Sequence, residues 1–250
     1  MTIFLPSPMH LSQQQRKLIR SLAQNKYREN HQLFVAEGSK VVDEFLRSPL
    51  KLHQLFCVAG SAYEQVAEAQ TISSSELQKI SRLKTPNKVL ALFEIPPAKA
   101  LEQSGLILVL DEINDPGNLG TIIRLSDWFG VKQLVCSPRT VDCFNPKVVQ
   151  ASMGSLARVS VVYADLATYL HNTPLPIHAA VMDGSNIYQE DIPASAILVL
   201  GNEAHGISEE ILAVSDRKVS IPRYGKLQQT ESLNVATAAA VLLSEFRRRV

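Results

Sequence analysis

The chain has 250 residues, of which 46% are apolar and 20% are charged, and this is the composition of an ordinary globular protein of one large or two modest domains. No apolar run approaches the roughly 20 residues of a membrane helix, and Pro6 and Pro8 interrupt the first stretch, so we expect neither a membrane span nor a signal peptide. The three cysteines are an odd set without metal-ligand spacing, so we expect reduced thiols in the cytoplasm and no metal.

A net charge of +1 conceals an uneven distribution along the chain. Residues 1–100 hold 13 Lys and Arg against 8 Asp and Glu, whereas residues 101–250 hold 12 against 16. The excess of positive charge near the N-terminus favours contact with an anionic polymer, although solvated basic faces are also common.

Helices and strands alternate over residues 10–95, which predicts a small α/β sandwich. The first helix, 10–28, carries a basic face made of Arg16, Lys17, Arg20, Lys26 and Arg28. The elements that follow are strands at 33–37, 52–59 and 89–95 and helices at 39–46, 62–69 and from Glu76. We divide the chain into an N-terminal domain, 1–97, a linker, 98–105, and a second domain, 106–250.

The second domain repeats the alternation, beginning with the continuous apolar run Leu106 to Leu110, which is typical of a buried parallel strand. Further strands are predicted at 133–136, 159–163, 177–181, 196–200 and 219–222, and helices at 121–129, 147–153, 166–171, 208–212 and 235–246. Strands joined by helical crossovers predict a doubly wound parallel sheet.

Three polar loops each follow the carboxyl end of a predicted strand, where open α/β sheets bind ligands. The first is 114–120, followed by Arg124 on a helix, and the second is 201–208. The third runs from Ile221 through Gly225 to 231–235, where Ser232 and Asn234 are N-cap candidates for the last helix.

In this order and spacing the loops resemble the three motifs of the SpoU (TrmH-like) branch of the knotted RNA ribose methyltransferases. The resemblance covers 106–250, and residues 10–95 resemble the ribosomal-protein-like RNA-binding domain that often precedes that catalytic domain. It implies an α/β domain with a trefoil-knotted site, a homodimer, and methyl transfer from S-adenosylmethionine to a ribose 2′-oxygen. Structured RNA is the implied partner, with ribosomal RNA as the first choice and transfer RNA as the alternative.

The resemblance also implies the roles of individual residues. Arg124 would assist deprotonation of the 2′-hydroxyl with Asn118 orienting it, although an arginine is effectively always protonated and needs help to accept a proton. The other implied catalytic residues are Glu203, Ser232 and Asn234. The implied cofactor-binding residues are Gly201, Asn202, Ile221, Pro222, Gly225 and Leu233. The RNA-binding residues would be the five basic side chains of the first helix.

Two other functions fit parts of the sequence. One is a non-catalytic RNA-binding or assembly factor of the same fold. The other is a Rossmann-type nucleotide enzyme, but the spacing G-x-G-x-x-G is missing. The segment from Lys226 to Thr230 lengthens the bridge between Gly225 and Ser232 relative to the family pattern, and two places are open to these residues, the cofactor pocket or the side facing the RNA.

Overall fold

The computed structural model describes residues 10–225, 227 and 232–248, which form two compact units. The first unit holds the N-terminal residues up to Pro97 together with Phe144–Ala157. The second holds Ala98–Cys143 and the chain from Arg158 onward. Residues 144–157 therefore pack with the first unit, although the sequence had placed them in the second domain.

The helices are α1 Gln13–Ser21, α2 Asn25–His31, α3 Ser39–Leu46, α4 Ser74–Ile80, α5 Pro116–Trp128, α6 Pro146–Ser152, α7 Leu166–His171, α8 Glu209–Ala213 and α9 Val235–Arg248. The strands are β1 Leu33–Glu37, β2 Leu52–Val58, β3 Ala69–Ile72, β4 Val89–Glu94, β5 Leu106–Leu110, β6 Gln133–Cys136, β7 Ser160–Tyr163, β8 Ile177–Asn186, β9 Ala196–Leu200 and β10 Arg217–Ser220.

The first unit is built on a mixed sheet of four strands in the order β1-β4-β2-β3. One face carries an aliphatic core to which Val35, Leu90 and Leu92 contribute. Because side chains alternate across a strand, Phe34 and Phe93 lie on the other face. There Phe34 packs against Phe144, with ring centroids 4.8 Å apart. This aromatic contact is one of several that join the 144–157 segment to the first unit, since α6 packs on β1 and residues 155–157 pack on α3.

The helix predicted over 10–28 is broken into α1 and α2. Ser12 and Gln15 form a capping box at the start of α1, with Gln15 N donating to Ser12 Oγ at 3.1 Å and Ser12 N donating to Gln15 Oε1 at 2.9 Å. Helix α1 ends at Leu22, and the Leu22 side chain is buried in the core of the first unit. The two helices therefore present different residues to solvent than a single helix would.

The second unit is a six-stranded sheet in the order β10-β8-β9-β5-β6-β7, and each neighbouring pair is parallel. The central strands β5 and β9 are fully buried, as their continuous apolar runs predict. Residues of α7 and α8 pack on the face that contains Ile107, Val109 and Val199. This confirms the α/β class with a parallel sheet.

Two elements differ from the sequence prediction. Residues 62–69, predicted as a helix, form a short 3-10 helix, Ala62–Gln65, followed by β3, a strand absent from the prediction. Strand β8 extends to Asn186, and its pairing with β10 slips, so that Lys218 faces Ala179 whereas Val219 faces Ser185. Residues 180–184 therefore have no paired residue in β10 and form an excursion of β8 beside the edge strand. None of the helices in the described parts of the chain is long and apolar enough to cross a membrane.

Candidate active site

The three polar loops follow β5, β9 and β10, and they meet at one edge because the strands are parallel. The first loop begins helix α5, where Pro116 occupies the first turn and the Asp115 side chain accepts from Asn118 N at 2.8 Å. This N-cap fixes Asn118 in the first turn. Asp111, which directly follows β5, accepts through Oδ2 from Ser208 N at 2.9 Å, and this bond ties the segment leading into the first loop to the second loop.

The second loop is a tight turn that depends on Gly201 and Asn202. A β-carbon on Gly201 would overlap the backbone of Gly206, so the close approach here is to the protein's own chain. Asn202 Oδ1 accepts from Ala204 N at 2.8 Å and from His205 N at 3.2 Å. These bonds hold the segment that carries Glu203.

The turn is also attached to the first loop through Glu112. Asn202 Nδ2 donates to the Glu112 carbonyl at 2.8 Å. Glu112 has a left-handed backbone with φ of 56°, which is uncommon outside glycine. Its side chain pairs with Arg139, with Arg139 Nη1 lying 2.7 Å from Glu112 Oε1. The two loops are therefore held in one arrangement by backbone as well as side-chain bonds.

The third loop contributes Asn234, which caps α9. Its Oδ1 accepts from Ala236 N at 3.0 Å and from Thr237 N at 3.2 Å, as the sequence predicted for an N-cap. Its Nδ2 donates to Asn118 Oδ1 at 2.9 Å. Asn118 Nδ2 in turn donates to Glu203 Oε1 at 2.6 Å. One side chain from each loop therefore joins a continuous hydrogen-bonded chain, Glu203–Asn118–Asn234.

Arg124 lies on α5, eight positions after its first residue, and is exposed. Within the described residues, no hydrogen bond or ion pair of its side chain is observed. A surface pair with Asp127 is the simplest alternative to a catalytic role, but Asp127 is held by Arg158, with Arg158 Nη2 donating to Asp127 Oδ2 at 2.8 Å. The Arg124 guanidinium is therefore not anchored by that carboxylate.

A cavity of about 1230 Å³ opens beside this chain of polar groups. Its wall includes every residue predicted to bind the cofactor, namely Gly201, Asn202, Ile221, Pro222, Gly225 and Leu233, together with Glu203 and Ser232. A further part of the wall, Ala180, Val181 and Met182, was not predicted from the sequence. These belong to the excursion of β8, and no turn or glycine motif at 180–182 could have revealed it.

Gly225 stands at the end of a described part of the third loop and lines the cavity. Its φ is not positive, and among the described residues a β-carbon there would meet nothing within 4 Å. Neither backbone conformation nor close approach therefore requires a glycine at this position. Four of the five residues of the lengthened bridge, Lys226 and 228–230, lie outside the described residues, so its effect on the cavity stays a prediction.

The structure changes the predicted RNA-binding set of the first unit. Arg28 is only 2% exposed and donates from Nη1 to the Leu22 carbonyl at 2.8 Å, so it is not available to phosphates. It was wrong to include Arg28, because α2 turns this side chain inward. Arg16 is half-buried, whereas Lys17, Arg20 and Lys26 are exposed and stay a prediction. Within the described ranges, no three His, Cys, Asp or Glu side chains are grouped so as to hold a metal.

Comparison with known proteins matches both units. Residues 105–244 match the SpoU rRNA Methylase family, and residues 13–91 match the MRM3-like substrate binding domain. The chain is 31% identical to the 23S rRNA (guanosine(2553)-2′-O)-methyltransferase RlmP of Bacillus subtilis over 91% of this chain and 94% of that protein.

Solved structures agree with this assignment. A TrmH-family chain from Porphyromonas gingivalis is 39% identical, with a TM-score of 0.87 over 97% of this chain and 100% of that one. The AdoMet-bound rRNA methyltransferase of Sinorhizobium meliloti is 28% identical, with a TM-score of 0.85 over 97% of both chains. The motif match, the fold and these similarities together place this chain in the SpoU family of rRNA methylases.

Proposed function

We propose that this chain transfers a methyl group from S-adenosylmethionine to a ribose 2′-oxygen of ribosomal RNA. One observation carries the proposal: Glu203 both lines the large cavity and accepts a hydrogen bond from Asn118. The cavity and the chain of polar groups therefore form a single site. The names of similar proteins agree, since RlmP is a 23S rRNA 2′-O-methyltransferase and the Sinorhizobium structure holds AdoMet.

The cavity has room for S-adenosylmethionine, and the chemistry of its wall suits this cofactor. Its wall presents half-exposed apolar side chains, Met182 at 49% and Leu233 at 46%, which suit a nucleoside. The Glu203 carboxylate and the Asn202 amide supply polar partners in the same wall. Gly201, Asn202, Ile221, Pro222 and Leu233 would hold the cofactor, which when bound supplies an activated methyl group on its sulfonium.

The side chains of the protein would orient the ribose and assist removal of its 2′-hydroxyl proton. Asn118 is oriented by its bonds to Glu203 and Asn234, so its amide is fixed before substrate arrives. Arg124 lies exposed and would approach the ribose, where its positive charge favours loss of the 2′-hydroxyl proton. Because an arginine is effectively always protonated, the proton finally leaves to RNA phosphate or water. Ser232 lines the cavity and would face the reacting centre.

The test is transfer of labelled methyl from S-adenosylmethionine to unmodified transcripts of 23S ribosomal RNA, with transfer RNA as the second substrate. Label in the ribosomal transcript that is lost with Arg124→Ala establishes the proposed reaction. Label confined to transfer RNA would retain the chemistry and overturn the substrate. Cofactor binding without transfer to either RNA would favour a non-catalytic binding factor.

We extend the proposal to the assembly and location of the protein. A homodimer is supported by Trp128, which ends α5 and is 84% exposed. Leu242 and Phe246 on α9 are buried within the chain and are therefore not offered to a partner. The family resemblance implies a trefoil knot around the cofactor site, and the free cysteines suit the cytoplasm. Light scattering of the wild type and of Trp128→Glu tests the dimer, since the variant is expected to be monomeric.

A further inference from the structure

One end of the first unit carries a concentration of positive charge that the sequence analysis did not single out. Strand β1 ends there at Glu37, and β4 begins there after the segment 81–88. This segment, Ser81-Arg82-Leu83-Lys84-Thr85-Pro86-Asn87-Lys88, holds three basic residues and no acidic one. Lys40 follows β1 in the first turn of α3, a turn without acidic residues. We name Lys40, Arg82, Lys84 and Lys88 the loop surface.

The main chain brings the four residues of the loop surface to the same end of the sheet. Gly38 N donates to the Val89 carbonyl at 3.1 Å, which places the start of α3 beside the start of β4. A β-carbon on Gly38 would lie 3.4 Å from Asn87 Nδ2, so the segment passes directly over this glycine. The four side chains are exposed, and within the described residues no ion pair of theirs is observed.

A buried carboxylate holds the segment in place. Glu37 is 7% exposed and accepts hydrogen bonds from Ser81 Oγ and, at 3.1 Å, from Arg82 N. At the other end of the segment, Val58 N donates to the Lys88 carbonyl at 3.1 Å. Glu37 makes these bonds with the backbone and a hydroxyl, and within the described residues no ion pair joins it to the exposed cations of the loop surface.

The helical face predicted from sequence is weaker by comparison. Arg28 is buried there, Arg16 is half-buried, and Glu29 is exposed on the same helix as Lys26. The three exposed cations are spread over two helices rather than held on one anchored segment. The loop surface is therefore the more concentrated positive patch of the first unit.

From this arrangement we infer that the loop surface is where the first unit binds the phosphate backbone of the substrate RNA. This inference rests on the proposed function, because it takes RNA to be the partner. The surface offers cations without an exposed aromatic ring in the segment 81–88, so it contacts phosphates and does not read bases. It positions the RNA, and the choice of nucleotide is left to the site in the second unit.

The test compares three triple variants of the full chain, each of which removes one arginine and two lysines. The loop variant is Arg82→Ala, Lys84→Ala and Lys88→Ala, the helix variant is Lys17→Ala, Arg20→Ala and Lys26→Ala, and the control is Lys132→Ala, Arg217→Ala and Lys218→Ala. Binding to an unmodified 23S rRNA transcript is measured at several salt concentrations. The loop variant is expected to bind at least about tenfold more weakly, and the slope of log K against log salt should fall in magnitude by about 2 to 3. A transcript of unrelated sequence should show the same change.

The possible results test the loop surface and the proposed methyl transfer independently of each other. Affinity and slope equal to those of the control would overturn the loop surface, as would a larger loss in the helix variant. A charge-conserving variant, Arg82→Lys with Lys84→Arg and Lys88→Arg, should bind as the wild type does, and its failure would show that charge is not the cause. RNA binding without methyl transfer by the wild type would overturn the proposed reaction while leaving the surface supported. Unchanged cofactor affinity in the loop variant shows that the second unit is intact.

Discussion

Asn118 and Glu203 lie 85 positions apart in the chain and are joined by a hydrogen bond of 2.6 Å from the amide nitrogen to the carboxylate. The bond fixes which end of the Asn118 amide faces which neighbour, because a carboxylate only accepts. The amide oxygen is thereby left to accept from Asn234. The Glu203 carboxylate therefore determines which amide atoms of Asn118 and Asn234 donate and which accept.

Asn118→Asp should disrupt this arrangement, because it places two carboxylates where one donor and one acceptor now meet. We expect methyl transfer to fall by about tenfold or more and the melting temperature to drop. The double variant Asn118→Asp with Glu203→Gln restores a donor–acceptor pair in the reverse direction and should recover the melting temperature. Equal melting temperatures for the single and double variants would mean that the bond does not organise the site.

Arg124→Ala should lower the rate of methyl transfer by about 100- to 10,000-fold, the range for a group that assists proton transfer. Cofactor affinity should change by less than about twofold, since Arg124 is outside the wall of the cavity. Single-turnover transfer and calorimetric cofactor binding measure the two effects separately. Full activity would remove Arg124 from the mechanism.

Gly201→Ala should displace the second loop, because the added methyl overlaps the backbone of Gly206. We expect a loss of about 1–3 kcal/mol in the free energy of unfolding, together with weaker cofactor binding. Gly225→Ala is the matched comparison for stability, since its methyl would meet nothing within 4 Å. Thermal melting of the two variants checks this, and equal melting temperatures would contradict the close approach at Gly201.

His178 should make stability depend on pH. Burial lowers the pKa of this histidine, although the nearby carboxylates of Glu190 and Asp216 act in the opposite sense. Because the folded pKa is lower than the unfolded one, the unfolded chain binds more protons as pH falls through about 6.5. The stabilisation from neutral His178 is therefore present above that pH and is lost below it. The melting temperature of the wild type should fall more than that of His178→Gln between about pH 7.5 and about pH 5.

The sequence predicted the structure correctly where the residues of one short segment determine it. The runs Leu106–Leu110 and Ala196–Leu200 are buried on both faces, and such strands are apolar throughout. The sequence offered Ser232 and Asn234 as caps because short polar side chains precede an apolar helix there, and Asn234 makes the capping bonds. The fold class and the meeting of the three loops follow from such patterns.

The remaining features depend on contacts between distant parts of the chain. Strand Ala69–Ile72 contains polar as well as apolar residues, and it is stabilised by its parallel pairing with β2. The Arg28 side chain points inward because the first helix ends at Leu22 and a second helix begins after it. No proline or glycine in the sequence marks that end. The position of 144–157 depends in part on a ring contact between Phe144 and Phe34, 110 positions away in the sequence. Periodicity within a short window contains no information on any of these.

The hydrogen bond between Asn234 and Asn118 joins residues that are 116 positions apart in the sequence. These two residues are therefore synthesised at different times. The other two members of the hydrogen-bonded chain Glu203–Asn118–Asn234 precede Asn234 in the sequence. During synthesis, then, this arrangement of side chains is completed only when the residue that caps α9 has been made.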